Sequence, residues 1–249
     1  MTEFQIAMPQ SDYNKYDFHH VAIDCVIFGY EQESLKLLLS HRRFEPEIGK
    51  WSLLGGWLGE KETLEEAARR ILYQYTGLED IYLEQVHVFS DPGRDPGGRV
   101  ISVVFYSMIR IDEHNKELIN RHGARWWPFD QKPSLVFDHD QMVKYAHESL
   151  KQKASYELIG EDLLPRQFTI LQLRRLYEAI FQRNFDPGNF RKKILSLHTL
   201  NRLNTKNKTE SKKGAFHYKF KKENNHPSTD RIVRINGLKE LNSPSPTAG

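Results

Sequence analysis

A single cysteine, Cys25, rules out an internal disulfide and leaves no set of thiolates for a zinc site. It lies in the apolar run VAIDCVIF at residues 21–28 and reads as a buried structural thiol. Long hydrophobic runs are also missing, since no uninterrupted apolar stretch approaches the roughly 18 residues that span a bilayer. The first twenty residues, MTEFQIAMPQSDYNKYDFHH, lack a basic segment followed by an apolar one. A soluble, cytoplasmic chain with no membrane partner is therefore expected. Internal repeats are absent too, which removes solenoids and propellers. What remains is a chain of 249 residues, 39% hydrophobic and 12% aromatic, enough for a sizeable core and for two modest domains.

Charge is unevenly divided. Residues 156–249 hold 18 Lys and Arg against 9 Asp and Glu, whereas residues 1–155 hold 18 against 24, so the parts carry +9 and −6. The excess is sharpest at residues 183–222, where 12 basic side chains face only Asp186 and Glu210. An acidic module joined to one suited to a polyanion is the implied organisation.

Periodicity supports that division. Residues 20–28 and 35–40 read as a hairpin, 51–54 as a short strand, 61–75 as a helix closed by Gly77, 81–89 and 100–111 as two more strands, 124–129 as a last one, and 140–152 as a helix. This is a mixed α/β arrangement, a curved sheet with flanking helices. After residue 155 the pattern changes. Thr169 can cap a helix over 170–181, and Asp186-Pro187 supplies an N-cap acceptor and a first-turn proline for a helix over 187–197. Strands at 200–203 and 215–220 then flank NTKNKTESKKG. Helix, turn, basic helix and basic hairpin is the order of a winged helix-turn-helix. Residues 223–249 are polar, rich in Ser, Pro and Asn, and expected to be disordered apart from RIVRINGL.

The basic half has the chemistry of a reader of double-stranded DNA. Asn189, Arg191, Lys192 and Lys193 on the second helix offer donors to base edges and phosphates, and Lys206, Lys208, Lys212 and Lys213 on the hairpin offer charge to the backbone or a minor groove. An RNA-binding module is the other reading of the same charge.

Gly56, five residues, Glu62, seven residues, Arg70 and then Gly77-Leu78 resemble the Nudix box, G-x5-E-x7-R-E-U-x-E-E-x-G-U with U aliphatic. The resemblance implies a Nudix fold over residues 18–155, an α+β, mixed-sheet sandwich, followed by a winged helix-turn-helix domain over 156–222. In working members the glutamates after the arginine hold the magnesium that activates water. Here they are Ile71, Gln74 and Tyr75. Magnesium demands oxygen ligands in near-octahedral geometry, and these three side chains supply one neutral carbonyl and a phenol. No metal, no cofactor and no catalytic residue are therefore expected. Glu60, Glu62, Glu65 and Glu66 could hold a displaced ion, but an acidic first turn usually serves the helix dipole and solvation.

SDPGRDPGGRV resembles the D-P-x-R-D-P loop of ADP-ribose-type Nudix proteins and of their regulatory relatives. Arg94 and Arg99 on it could hold phosphate, or each could pair with the adjacent Asp91 or Asp95. FDHD at 137–140 resembles a segment of the same relatives, with Asp138 an N-cap candidate and His139 near the sheet. Arg42, Arg43 and Phe44 follow the second strand, where the fold borders its pocket. Trp126 and Trp127 read as one core ring and one pocket or interface ring. These seven residues, Arg42, Arg43, Phe44, Arg94, Arg99, Asp138 and His139, form the candidate effector site.

LLPRQFTILQLRRLYEAIFQRNFDPGNFRKKILSL is similar to the C-terminal module of Nudix-related transcriptional regulators, in particular the sugar-responsive branch with the L-arabinose regulators. That resemblance implies a homodimer controlling carbohydrate metabolism genes, with a pentose as effector or, alternatively, an ADP-ribose-like nucleotide. An active Nudix pyrophosphatase with an appended nucleic-acid anchor is the rival reading.

Overall fold

The computed structural model describes residues 15–79, 81–209 and 214–221, so Lys212, Lys213 and the tail at 223–249 lie outside the described residues. The first half is organised by one strand. β1 (His20–Glu31) pairs antiparallel with β2 (Ser34–His41) and parallel with β6 (Val100–Arg110), and a sheet of order β3-β2-β1-β6-β5 results. Its other strands are β3 (Trp51–Ser52), β4 (Leu54–Trp57) against β1, β5 (Glu84–Phe89) at an edge, and β7 (Ala124–Pro128) against β2. Ile23, Cys25 and Ile27 enter one core and Val26, Phe28 and Tyr30 the other. Both faces of β1 are covered, which is why its sequence runs apolar instead of alternating cleanly. Cys25 is fully buried, and burial pushes its thiol up from the ordinary range.

On one face lies α1 (Leu64–Thr76), started by a capping box of Thr63 and Glu66 and stopped by Gly77 at a φ of 67°. It buries Ala67, Ala68, Ile71 and Leu72. A short helix, α2 (Glu113–Arg121), follows β6. The sequence reading missed it, because of its described residues only Ile119 is fully covered and no apolar stripe announces it. On the opposite face α3 (His139–Tyr156) buries Met142, Val143, Ala146, Leu150 and Ala154.

The second half is a winged helix of α4 (Ile170–Phe181), α5 (Pro187–Ser196), β8 (Leu200–Asn207) and β9 (Ala215–Phe220), with Phe168 bridged to Tyr218. Thr169 and Gln172 form the capping box of α4, and Asp186 accepts from the Asn189 N–H at the start of α5. β8 is longer than the sequence implied, reaching Asn207.

The two halves share a core. Phe28, Tyr30, Leu35, Leu173, Tyr177 and Ile180 belong to one buried apolar cluster. His147, between α3 and α4, donates from Nε2 to the Ile180 carbonyl at 2.6 Å, while its ring packs 4.5 Å from Phe129. Arg175 on α4 reaches Glu33 in the β1–β2 turn at 3.6 Å. Trp126 packs on the α1-side core and Trp127 on the α3-side core. Of the expected core ring and pocket or interface ring, the pocket alternative is corrected, since neither indole lines the cleft described below. No described helix is long and apolar enough to cross a membrane.

Two buried histidines give this packing a pH dependence. Burial holds His139 and His147 below the ordinary value of 6.5. The unfolded chain therefore binds more protons beneath that pH, and stability should fall as pH drops from about 6.5. Thermal melts of wild type and His147→Ala over pH 5–8 check this. Loss of the buried hydrogen bond should cost about 1–3 kcal/mol at pH 8, and the variant should show a shallower acid slope.

Candidate effector pocket and nucleic-acid face

A cleft opens at the ends of β1, β2, β4 and β6, lined among others by Asp24, Arg42, Arg43, Tyr75, Arg94 and His139. Glycine makes it possible. A Cβ on Gly55 would stand 2.5 Å from the Asp24 carboxylate, and one on Gly56 would stand 3.1 Å from Ile71. Asp24 lies in the middle of the apolar β1, is 5% exposed, and approaches His139 Nε2 at 3.8 Å. His139 Nδ1 accepts from the Leu53 N–H at 3.2 Å, so the neutral ring carries its proton on Nε2, toward Asp24. The Ser40 hydroxyl also lines the cleft, buried and without a hydrogen-bond partner among the described residues.

Of the seven candidate effector residues, five line this cleft: Arg42, Arg43, Phe44, Arg94 and His139. Arg42 donates from Nε to the Pro46 carbonyl at 2.5 Å and holds its guanidinium 4.2 Å from the Phe44 ring and 4.8 Å from that of Phe137. Phe137 adopts a φ of 50°, a left-handed strain that non-glycine residues keep only where the surroundings impose it. Arg94 pairs with neither Asp91 nor Asp95. It makes a two-pronged bond to Asp138, Nε to Oδ2 at 2.8 Å and Nη2 to Oδ1 at 2.7 Å, with the arginine side chain 3% exposed. Asp138 occupies the N-cap position of α3 but makes no side-chain cap, because its carboxylate faces Arg94. Arg99 is turned elsewhere, donating to the Ser90 carbonyl at 2.7 Å to close its own loop. Two corrections follow: Asp138 and Arg99 do not line the cleft, the first a partner of Arg94 and the second a brace of the loop.

The residues where a metal would be held do not fit one. Ile71 is wholly buried in the α1 core, Gln74 is exposed, and Tyr75 turns into the cleft with its hydroxyl 3.4 Å from the Gly55 carbonyl. Glu62 is taken up by Arg70, which reaches it at 2.9 and 2.5 Å and also binds the Trp57 carbonyl. That pairing, with the Gly59 N–H, holds the Glu62 carboxyl down to about 2. Among the described residues, no group of three or more His, Cys, Asp or Glu could hold an ion. Asp24, Phe137 and Ser40 escaped the sequence reading; an acid inside an apolar strand was the one available signal.

On the winged helix, α5 exposes Asn189, Arg191 and Lys192, while Lys193 is half-buried. Arg191 donates to the Tyr218 hydroxyl at 3.3 Å, which ties this helix to the wing. Lys206 is not in a loop but on β8, its ammonium 4.5 Å from the Phe216 ring, beside Arg202 at 4.7 Å. Lys208 is exposed just beyond. Arg202 was not anticipated and belongs with this surface by its place on β8.

A NUDIX domain model matches residues 18–146. The chain belongs to the Nudix family. The Nudix domain is followed by an NrtR DNA-binding winged helix domain, whose model matches residues 160–220. The chain is 29% identical over 191 residues to the ADPR responsive transcriptional repressor NtrR of Acinetobacter baylyi, covering 74% of this chain and 76% of that protein. It is 34% identical over 132 residues to the ADP-ribose pyrophosphatase of Methanocaldococcus jannaschii, covering 53% of this chain and 75% of that one. The crystal structure of Shewanella oneidensis NrtR complexed with a 27mer DNA superposes with a TM-score of 0.69 at 28% identity, over 85% of this chain and 95% of that one. These relatives overturn the expectation of a pentose effector and of the L-arabinose branch, because the matched regulator is named for ADP-ribose. Three arginines line the cleft together with Asp24 and Asp95, and the arginines suit an anionic group.

The Arg94–Asp138 pair should behave as a unit. Arg94→Met should cost about 3 kcal/mol by leaving a largely buried carboxylate unpaired, and Asp138→Leu added to it should recover most of the loss in urea denaturation. Equal losses in the single and double variants would contradict the pairing.

Proposed function

We propose that this Nudix protein is a DNA-binding transcriptional regulator that senses ADP-ribose without cleaving it, and that it acts as a homodimer on two DNA half-sites. One observation carries the reading: a cleft with arginines and, among the described residues, no metal-ligating set is joined, through a shared core, to a winged helix that exposes Asn189, Arg191 and Lys192. Arg42 and Arg43 meet the diphosphate, and the partly exposed rings of Phe44 and Trp57 at the rim offer faces to the base. Asn189, Arg191 and Lys192 enter the major groove, Lys193 borders it, and the charges of Lys206 and Lys208 on the wing, with Lys212 and Lys213 of the same basic segment, serve the DNA phosphates. Similarity to an ADP-ribose-responsive repressor supports the choice of ligand. Hydrolysis is disfavoured because Ile71, Gln74 and Tyr75 leave no metal to activate water.

Regulation then requires that ADP-ribose bind one arrangement of the winged helices better than another, with the same coupling read from either ligand. The route is α3, which begins at the cleft and meets α4 at His147.

Fluorescence anisotropy on a duplex with two half-sites about one helical turn apart tests the reading. Saturating ADP-ribose should change the DNA affinity by about fivefold or more, with the nucleotide recovered intact. Lys192→Ala should weaken binding and reduce the slope of log K against log salt by about 1. No DNA binding, or ADP-ribose cleavage in magnesium, would refute the proposal.

A further inference from the structure

We propose that Arg43 stands in for the family's metal ion, so that the diphosphate of the effector is bound with no divalent cation. The inference rests on the reading of the cleft as an ADP-ribose sensor and adds what replaces the ion. Its starting point is the disagreement between the box and the side chains. The family pattern places carboxylates at 71, 74 and 75, and the only one of these three residues that reaches the cleft is Tyr75.

Tyr75 brings a ring where a charge would stand, and that ring supports a charge of the opposite origin. The Arg43 guanidinium lies 5.0 Å from its centroid. On its far side Arg43 donates from Nη2 to the His122 carbonyl at 3.0 Å, in the turn between α2 and β7. One donor of the five is used there, and the fork keeps the rest for a ligand. The phenol senses this charge. Burial raises Tyr75 above its ordinary value while Arg43 and Arg42 pull it down.

Charge accounting singles out this arginine. Arg94 is neutralised by Asp138. Arg42 lies between two phenyl rings and is bound to the Pro46 carbonyl, and no ion pair among the described residues engages Arg42 or Arg43. Asp24 and Asp95 also line the cleft, and of the two unpaired arginines Arg43 is the one whose guanidinium packs on Tyr75, on the helix face where the family pattern places metal ligands. A planar guanidinium grips two phosphate oxygens at once, as an ion bridging them would. It differs in one respect that matters for sensing. It carries no water whose pKa it could lower, so a diphosphate is held and not cut.

Calorimetric titration of the full chain with ADP-ribose, in excess EDTA and again in millimolar magnesium, tests this. The expected result is the same Kd in both. In EDTA, Arg43→Gln should lose about ten- to a hundredfold in affinity for ADP-ribose and leave the binding of adenosine, which has no phosphate, unchanged. Arg43→Lys should recover part of the loss, and melting curves check that each variant is folded. Binding that appears only with magnesium, or an Arg43→Gln variant as tight as wild type in EDTA, overturns the substitution of arginine for metal while leaving an ADP-ribose sensor in place. Binding in neither buffer overturns the sensor itself.

Discussion

Helix α3 is the element on which the rest depends. Its N-cap Asp138 and first residue His139 brace Arg94 and the buried end of the cleft. Two turns later His147 bonds to the last turn of α4, and Leu150 and Ala154 continue the same buried face. A helix is stiff along its axis, so any ligand that changes the seating of its N-terminus changes what α4 packs on. Ion pair, histidine and apolar face each make a modest contribution alone, and together they join the two halves through one packed core.

The cleft itself is a balance of charge. A working hydrolase of this family gathers negative charge on one helix to hold a cation, which then holds a negative substrate. Here that helix face presents Ile71, Gln74 and Tyr75, and Glu62 is closed off by Arg70. Arg42 and Arg43 line the same cleft, and in the proposed reading they meet the anion directly. On that proposal one set of substitutions would account both for a cleft that does not activate water and for one that still recognises the anion.

Much of this was legible in the sequence where local physics decides. Thr169 as the cap of α4, Gly77 as a stop and Asp186-Pro187 as a start lie where the chain pattern puts them. Pairings between distant residues were not legible. Nothing local tells Arg94 to choose Asp138, 44 residues on, over Asp91 or Asp95 beside it; the preference arises because α3 brings Asp138 to a nearly dry site where a bidentate bond is worth more than an exposed one. Asp138 for the same reason does not cap its helix. Asp24 was hidden by its strand, since an acid among apolar residues looks like an interruption until the sheet places His139 and Gly55 around it. Of the two effectors the sequence left open, the matched regulator is named for the ADP-ribose kind and not for the pentose.

Amide hydrogen exchange of the full chain in EDTA, with and without ADP-ribose, tests the central claim most directly. The account predicts slower exchange in the arginine loop at 42–50 and along α3 as far as its contact with Ile180 at the end of α4. Protection confined to the loop at 42–50, with α3 and α4 unchanged, would contradict it.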